Sequence, residues 1–179
     1  LLYLFCKYFK SDTKRLIIAH VNHNLRKGSR LDENFVLRLG EKLKIKTHNT
    51  KLDPNTITKG DSTESWARKH RYDFLSTIMK KAEAKWVVTG HHANDQAETI
   101  LMNISDKTGL FGLGGMKEIN NNIIRPLLPF TKVQLSEIVN KYSLPFLEDP
   151  TNRNNYYKRN FVRNNVITPW LGRNNDLIE

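Results

Sequence analysis

The stretch Trp86-Val-Val-Thr-Gly-His-His-Ala-Asn-Asp-Gln-Ala-Glu-Thr99 decides the fold class. Residues 86–90 form a short apolar run with β-branched side chains, which is typical of a buried strand. From residue 93 to residue 104, apolar side chains recur at helical spacing, at positions 97, 100, 101 and 104. The stretch therefore predicts a strand followed directly by a helix with one apolar face.

The same alternation extends in both directions along the chain. Upstream, the patterns predict a strand over residues 15–21, a helix from Ser29, a weak strand over 44–50 and a helix over 61–81. Ser29 with Asp32, and Asp61 with Glu64, are expected to cap the two helices. Downstream, a short strand is expected at 123–126 and a helix at 131–142, capped by Thr131 and Gln134. Alternating strands and helices of these lengths predict an α/β fold, a Rossmann-like parallel sheet with helices on both faces.

The remaining segments are expected to be loops and extensions. Residues 52–60 contain Pro, Asn and Gly without a period, and the glycine-rich residues 109–115 are expected to form a flexible loop. The apolar opening residues 1–10 resemble the end of a helix that begins upstream. Residues 1–150 are expected to form one catalytic domain, and residues 151–179 a basic helical extension.

Composition limits the function classes. The chain has 179 residues, and its single cysteine allows no internal disulfide and no Cys-x-x-Cys pair, which favours a cytoplasmic setting. The longest apolar run has about six residues, far fewer than a membrane span needs, so no membrane partner is expected. Twenty-nine Lys and Arg against 18 Asp and Glu give a net charge of +11, which favours a nucleic-acid partner.

The polar residues that follow the predicted strands are the first candidates for a site, because ligands of open α/β sheets bind beyond the carboxyl ends of the strands. His20, Asn22 and His23 come at the end of the first strand. If the later helix starts near residue 91, its His91, Asp95 and Glu98 share one face that looks into the cleft, and the apolar residues form another. Backbone N–H groups at that helix start also favour phosphate oxygens.

Two other interpretations of this face stay open. Acidic residues are common in a first helical turn because they complement the helix dipole, and histidines often only cap or pack. The order His-x-x-x-Asp-x-x-Glu could also supply metal ligands on one side of a helix. No further cluster of His, Asp or Glu completes such a shell, so a protein-held metal is not expected.

Basic side chains supply the other candidates. Arg68 and Arg71 lie on one face of the predicted 61–81 helix with Glu64, where they form either a surface ion pair or a phosphate contact. Arg159 and Arg163 are one helical turn apart, with aromatic residues between the basic ones, which suits a nucleic-acid or phosphate contact better than a solvated face. The chain contains no Walker A pattern and no Gly-x-Ser-x-Gly elbow.

Six motifs in order give the chain a family resemblance. The sequence resembles the N-terminal catalytic domain of the tRNA(Ile)-lysidine synthetases, which are PP-loop ATP pyrophosphatases. The motifs are His20-Val-Asn-His-Asn-Leu-Arg26, Glu64-Ser-Trp-Ala-Arg-Lys-His-Arg-Tyr72, Thr89-Gly-His-His-Ala-Asn-Asp-Gln-Ala-Glu-Thr99, Ile124-Arg-Pro-Leu-Leu128, Asp149-Pro-Thr-Asn152 and Arg159-Asn-x-x-Arg163.

The resemblance implies a reaction. ATP would adenylate the wobble cytidine of a tRNA, and the amine of free lysine would then attack the activated carbon and release AMP. Mg²⁺ would arrive with the ATP, held chiefly by phosphate oxygens and water.

The resemblance also implies roles for individual residues. His91, Asp95 and Glu98 would line the lysine pocket, with Arg71 and Arg163 steadying the phosphates. Nucleotide-binding residues would include His20 and its loop neighbours Asn22 and His23, together with Gly90 and Arg68. The full-length protein is a candidate homodimer.

Two departures from the family pattern change the expectation. Asn94 stands where the family usually has a second aspartate, which removes one carboxylate from the pocket. The family's Ser-Gly-Gly-x-Asp-Ser phosphate loop is absent, so the chain as written is expected neither to adenylate RNA nor to bind ATP tightly. The alternatives are a related tRNA sulfur transferase, which normally needs paired cysteines, and a non-catalytic RNA-binding remnant.

Overall fold

A computed structural model describes residues 1–9, 12–109, 113–153 and 157–172. The chain divides into two compact units, Leu1–Val87 and Val88–Glu179. This division differs from the expected domains 1–150 and 151–179, which stay a prediction. No helix in the described ranges is long and apolar enough to cross a membrane.

The first unit is built on two parallel strands. Helix α1 (Leu2–Tyr8) precedes strand β1 (Ile17–Asn22), helix α2 (Ser29–Leu43), strand β2 (Lys46–Lys51) and helix α3 (Thr63–Lys81). In the β1–β2 register Ile17 lies opposite Lys46 and Asn22 opposite Lys51. Helix α2 packs against both strands and α3 against β1. The expected parallel α/β arrangement is confirmed here, including the weak second strand.

Two helix starts differ from the expectation. Ser29 is the first residue of α2 and caps nothing, because Gly28 occupies the cap position. Helix α3 is capped by Ser62, one residue after Asp61, and the Ser62 side chain accepts a hydrogen bond from the Ser65 backbone N–H. Several adjacent polar residues can each satisfy the first N–H groups, so the sequence locates such a cap only to within a residue or so.

The second unit contains short strands and three longer helical segments. Strand β3 (Val87–Val88) begins at the unit boundary, followed by helix α4 (Ala93–Ser105), strands β4 (Ile119–Asn120) and β5 (Ile123–Ile124), and helix α5 (Lys132–Lys141). The final helix α6 comprises Lys158–Phe161, a π-helical segment Val162–Ile167, and Thr168–Leu171. The sheet order is β3-β5-β4, and β4 pairs antiparallel with β5, a hairpin that the periodicity did not predict.

Two expectations for this unit have different outcomes. Thr131 and Gln134 form the expected capping box of α5, with each side chain bonded to the other residue's backbone N–H. The expected loop 109–115 falls partly on residues 110–112, which lie outside the described residues.

The expected apolar face of α4 is at most half-buried, and the buried residue of this helix is acidic. Glu98 is completely buried, whereas Ile104, expected to pack, is 54% exposed. A buried carboxylate on a helix needs compensating partners, which come from α6.

Candidate functional site

The start of α4 separates two of the expected site residues from the third. The helix begins at Ala93 with His92 as its cap residue, so His91 precedes the helix and does not share its face. The His91 ring Nδ1 lies 2.9 Å from the Thr89 hydroxyl oxygen. The expected face of His91, Asp95 and Glu98 is therefore wrong for His91, while the two carboxylates do lie on α4, three residues apart.

Glu98 is the centre of a carboxylate cluster, which consists of Asp95, Glu98, Arg159 and Arg163. The Nε atoms of Arg159 and Arg163 donate to the two carboxylate oxygens of Glu98 at 2.9 and 2.6 Å, and Nη2 of Arg163 donates at 3.1 Å. Arg159 also donates to the Thr99 hydroxyl at 3.1 Å. The Glu98 side chain is 1% exposed, so its negative charge is held by the two guanidinium groups.

Asp95 is the more accessible acid of the carboxylate cluster. Its side chain is 15% exposed, and its Oδ1 lies 3.8 Å from Nη2 of Arg163. Its Oδ2 accepts a hydrogen bond from the His92 backbone N–H at 3.0 Å. Two carboxylates and two guanidiniums give the cluster no formal net charge.

Burial and neighbouring charges have opposite effects on the pKa values of Arg163 and His92. Burial by itself would lower the pKa of Arg163, but its hydrogen bond to Glu98 and the charges of Glu98 and Asp95 raise it above the ordinary value. Burial lowers the pKa of His92, against the opposing effect of Asp95 and Glu98. Arg163 is therefore charged and His92 neutral at physiological pH.

Helix α6 positions both arginines of the carboxylate cluster. Arg159 lies in its first α-helical turn and Arg163 in the π-helical segment, four residues on. The buried Asn160 side chain donates to the Thr151 carbonyl at 2.8 Å, and the Thr168 hydroxyl donates to the Arg163 carbonyl. A π-helical segment of this kind often occurs at functional positions.

Asn94 faces away from the carboxylate cluster. Its Oδ1 accepts a hydrogen bond from the Lys132 backbone N–H at 2.7 Å, at the first residue of α5. The neighbouring Ala93 N–H donates to the Phe130 carbonyl at 2.9 Å. This side chain ties the start of α4 to the start of α5, and the expected effect of Asn94 on the charge of the pocket stays a prediction.

In the first unit, strand β1 carries the expected nucleotide-binding residues. The strand continues to Asn22, so His20 and Asn22 are strand residues and only His23 follows the strand. Asn22 is 3% exposed. The Asn22 and Asn49 amides donate to the two carboxylate oxygens of Glu33 at 2.8 and 2.6 Å, and these bonds lower the pKa of Glu33. Asn22 thus anchors the strand end to α2.

A histidine cluster, defined as His20, His23, His70 and Arg71, lies beside this anchor. Burial, followed by the nearby charges of Arg71, His20 and His70, lowers the pKa of His23 to about 4. Burial also lowers the pKa of His20, although Glu33 and Asp32 oppose it. The buried atoms His20 Nε2 and His23 Nδ1 have no hydrogen-bond partner among the described residues. Both imidazoles are therefore neutral at pH 7 and can accept or donate hydrogen bonds.

The other basic residues of α3 contact an aromatic ring. The guanidinium carbons of Arg68 and Arg71 lie 4.9 and 5.6 Å from the centre of the Tyr72 ring. Arg68 is exposed, as is Gly90 between β3 and α4. These contacts hold the arginine side chains along one side of α3.

Some partners of the two clusters were not expected from the sequence. Glu33 and Asn49 lie in none of the six motifs, and Thr99, the last residue of one motif, had no expected role. Only the spacing Arg159-Asn-x-x-Arg163 pointed to the arginines, and it did not indicate Glu98 as their partner. Among the described residues, no group of three or more His, Cys, Asp or Glu side chains could hold a metal ion.

Comparisons with known proteins decide the family. A family model described as the PP-loop domain matches residues 1–169. The chain belongs to the PP-loop domain family. The relatives named tRNA(Ile)-lysidine synthase include proteins from the following three organisms. The protein from Thermosipho africanus is 39% identical over 163 residues, 90% of this chain and 38% of its own length. Those from Thermotoga maritima and Staphylococcus aureus are 33% and 32% identical over 100% and 99% of this chain, 44% and 42% of their own lengths.

A solved structure shares the fold. It is the U34-tRNA thiolase NcsA from Methanococcus maripaludis with its [4Fe-4S] cluster, which superposes with a TM-score of 0.68 at 16% sequence identity, covering 99% of this chain and 68% of that one. At this identity the likeness supports the PP-loop fold alone. The expected family and α/β fold class are confirmed, and the chain spans about two fifths of the length of the synthases named above.

Proposed function

We propose that this PP-loop domain serves a tRNA(Ile)-lysidine synthase, using ATP to adenylate the wobble cytidine of an isoleucine tRNA and then joining lysine to it. In the first step the cytosine carbonyl oxygen bonds to the α-phosphorus and pyrophosphate leaves. In the second, an amine of lysine attacks the activated carbon, loses a proton, and AMP leaves with the oxygen. The names of relatives at 32–39% identity support this assignment.

The observation that carries the proposal is the carboxylate cluster of the second unit. A lysine ammonium needs a carboxylate that is desolvated yet reachable, and the 15%-exposed Asp95 meets both conditions. Glu98 is engaged by Arg159 and Arg163, so we assign it chiefly to holding these guanidiniums in place. Arg163, charged and 25% exposed, can then stabilise a carboxylate or phosphate oxygen.

The histidine cluster suits a nucleotide. Its buried, neutral imidazoles present atoms that lack partners among the described residues, and Arg71 adds positive charge beside them. We assign His20, His23 and Arg71 to ATP, with Asn22 holding the strand end and Arg68 lying at the periphery. The expected role of Gly90, which lies in the second unit, stays a prediction. Mg²⁺ would arrive with the ATP and be bound chiefly by phosphate oxygens and water.

Lysine incorporation tests the proposal. The chain, preceded by a segment that carries the Ser-Gly-Gly-x-Asp-Ser phosphate loop implied by the family resemblance, is mixed with ATP, radiolabelled lysine and an unmodified isoleucine tRNA. We expect ATP-dependent label in the tRNA and release of pyrophosphate and AMP, in a cytoplasm-like reducing buffer. Asp95→Asn should abolish the label, and Asp73→Asn, an exposed carboxylate on α3, is the control.

The alternatives predict different products. Sulfur incorporation without lysine would indicate a tRNA sulfur transferase. RNA binding with neither product would indicate the non-catalytic remnant, and either result would overturn the proposal. Sedimentation of the full-length protein would test the expected homodimer.

A further inference from the structure

We infer that Gln96 is a positioning residue that fixes the first turn of α4, and with it the Asp95 carboxylate, through a strap formed by residues 114–117. This inference rests on the proposed function, because it assigns Asp95 to lysine. The proposed function gives roles to Asp95 and Glu98 but none to the Gln96 amide between them.

The first step is the set of hydrogen bonds that Gln96 makes to the strap. Its Oε1 accepts a hydrogen bond from the Met116 N–H at 2.6 Å. Its Nε2 lies 3.1 Å from the Met116 carbonyl and 3.4 Å from the Gly114 carbonyl. One side-chain amide thus satisfies both polar groups of one backbone residue, as a neighbouring strand would.

The second step is the backbone of the strap at Gly115. Its φ is +60°, a conformation that favours glycine. A Cβ added there would lie 2.7 Å from both Oε1 and Nε2 of Gln96. A larger residue at position 115 would therefore displace the Gln96 amide, and the positive φ would strain its backbone.

The third step is a second attachment at the other end of the strap. Arg125 is 4% exposed, and its Nη1 donates to the Lys117 carbonyl at 2.7 Å. The Arg125 backbone N–H donates to the Glu118 carbonyl at 2.8 Å. The buried Arg125 side chain holds this end of the strap in place. The hydrogen bonds from the strap to Gln96 therefore restrict the motion of α4.

The last step connects Gln96 to Asp95. Both residues lie in the first turn of α4, where His92 N–H donates to Asp95 and Gln96 N–H donates to the His92 carbonyl. The first N–H groups of a helix have no hydrogen-bond partners within the helix, so side-chain contacts determine how much the first turn of α4 frays. A fixed turn keeps the carboxylate in one orientation, and hence lysine in one pose.

Lysine affinity tests the inference. Isothermal titration calorimetry of the chain with free lysine is compared for Gln96→Ala, Gly115→Ala and the double variant. We expect each single change to weaken lysine binding about tenfold, as loss of a preorganised contact does. The double variant should be no weaker than either single one, because both remove the same attachment.

Gln134→Ala is the matched control. Gln134 also bonds backbone in the first turn of a helix of this unit, but in α5, so its loss should lower the melting temperature similarly and leave lysine affinity unchanged. Amide exchange gives a second readout: the Met116 N–H should exchange faster in Gln96→Ala and not in Gln134→Ala.

The outcomes separate the two claims. If the unchanged chain binds no lysine, the proposed function and this inference both fail. If it binds lysine and the Gln96 variants bind it equally well, or if the two single effects multiply in the double variant, only the inference is overturned.

Discussion

The histidine cluster of the first unit and the carboxylate cluster of the second differ in the charge state of their buried polar groups. In the first, burial lowers the pKa of His20 and His23, so the groups become neutral. In the second, Asp95 and Glu98 are matched by Arg159 and Arg163, so charge is retained and paired. Losing an interaction partner costs a buried neutral group little free energy, whereas it costs a buried, paired ion much more.

The comparison predicts its largest effect at Glu98. Glu98→Gln leaves two guanidiniums without their carboxylate, and breaking a buried pair in this way should lower the free energy of unfolding by about 3 kcal/mol. Urea denaturation measures this. Glu137→Gln changes an exposed carboxylate of the same unit and should stay within about 0.5 kcal/mol of the unchanged protein. Equal effects of the two variants would contradict a paired, buried Glu98.

The second largest effect is the pH dependence of folding stability that the histidine cluster produces. The pKa of His23 is lowered to about 4 in the folded state, so as pH falls from 6.5 towards 4 the unfolded chain takes up a proton that the folded chain does not. The contribution of neutral His23 to the free energy of unfolding should therefore be fully present above pH 6.5. It should fall by about 2 kcal/mol by pH 4, a figure reduced because the His23 side chain is partly exposed.

His23→Gln is the variant that isolates this contribution. Part of the pH dependence should remain because burial also lowers the pKa of His20 and His92. Melting temperatures between pH 4 and pH 7 make the comparison. A variant with the same slope as the unchanged protein would show that His23 is not the group that titrates.

The smallest effect is expected at Asn94, outside both clusters. Asn94→Ala removes the acceptor for the Lys132 N–H and should cost about 1 kcal/mol, as loss of a helix-capping contact does. Asn94→Asp keeps the acceptor and adds a negative charge at the start of α5, so it should be neutral or slightly stabilising. Thermal unfolding distinguishes these results. A large change in lysine binding with Asn94→Asp would instead place this side chain in the lysine pocket.

Sequence patterns predicted local structure well and helix starts less well. The strands ending near residues 21 and 51, the helices containing Phe35, Phe74 and Ile100, and the cap at Thr131 were all predictable, because each depends on the period or chemistry of a few adjacent residues. Strand β5 lies within the short strand expected at 123–126, whereas β4 and the hairpin were not predicted because a two-residue strand has no measurable period. The start of α4 at Ala93 left His91 outside the helix, so the helical spacing that would place it on a face with Asp95 and Glu98 does not apply to it.

The amino-acid sequence alone determined the order of strands and helices, the positive charge and the motifs of the PP-loop family. Tertiary structure decided which charged groups meet. Glu98 is paired with arginines 61 and 65 residues further along the chain, and Asn94 points to α5, neither of which any local pattern encodes. Periodicity reports which residues share a face of one element, whereas the partner of a buried charge depends on how a distant element packs against that face.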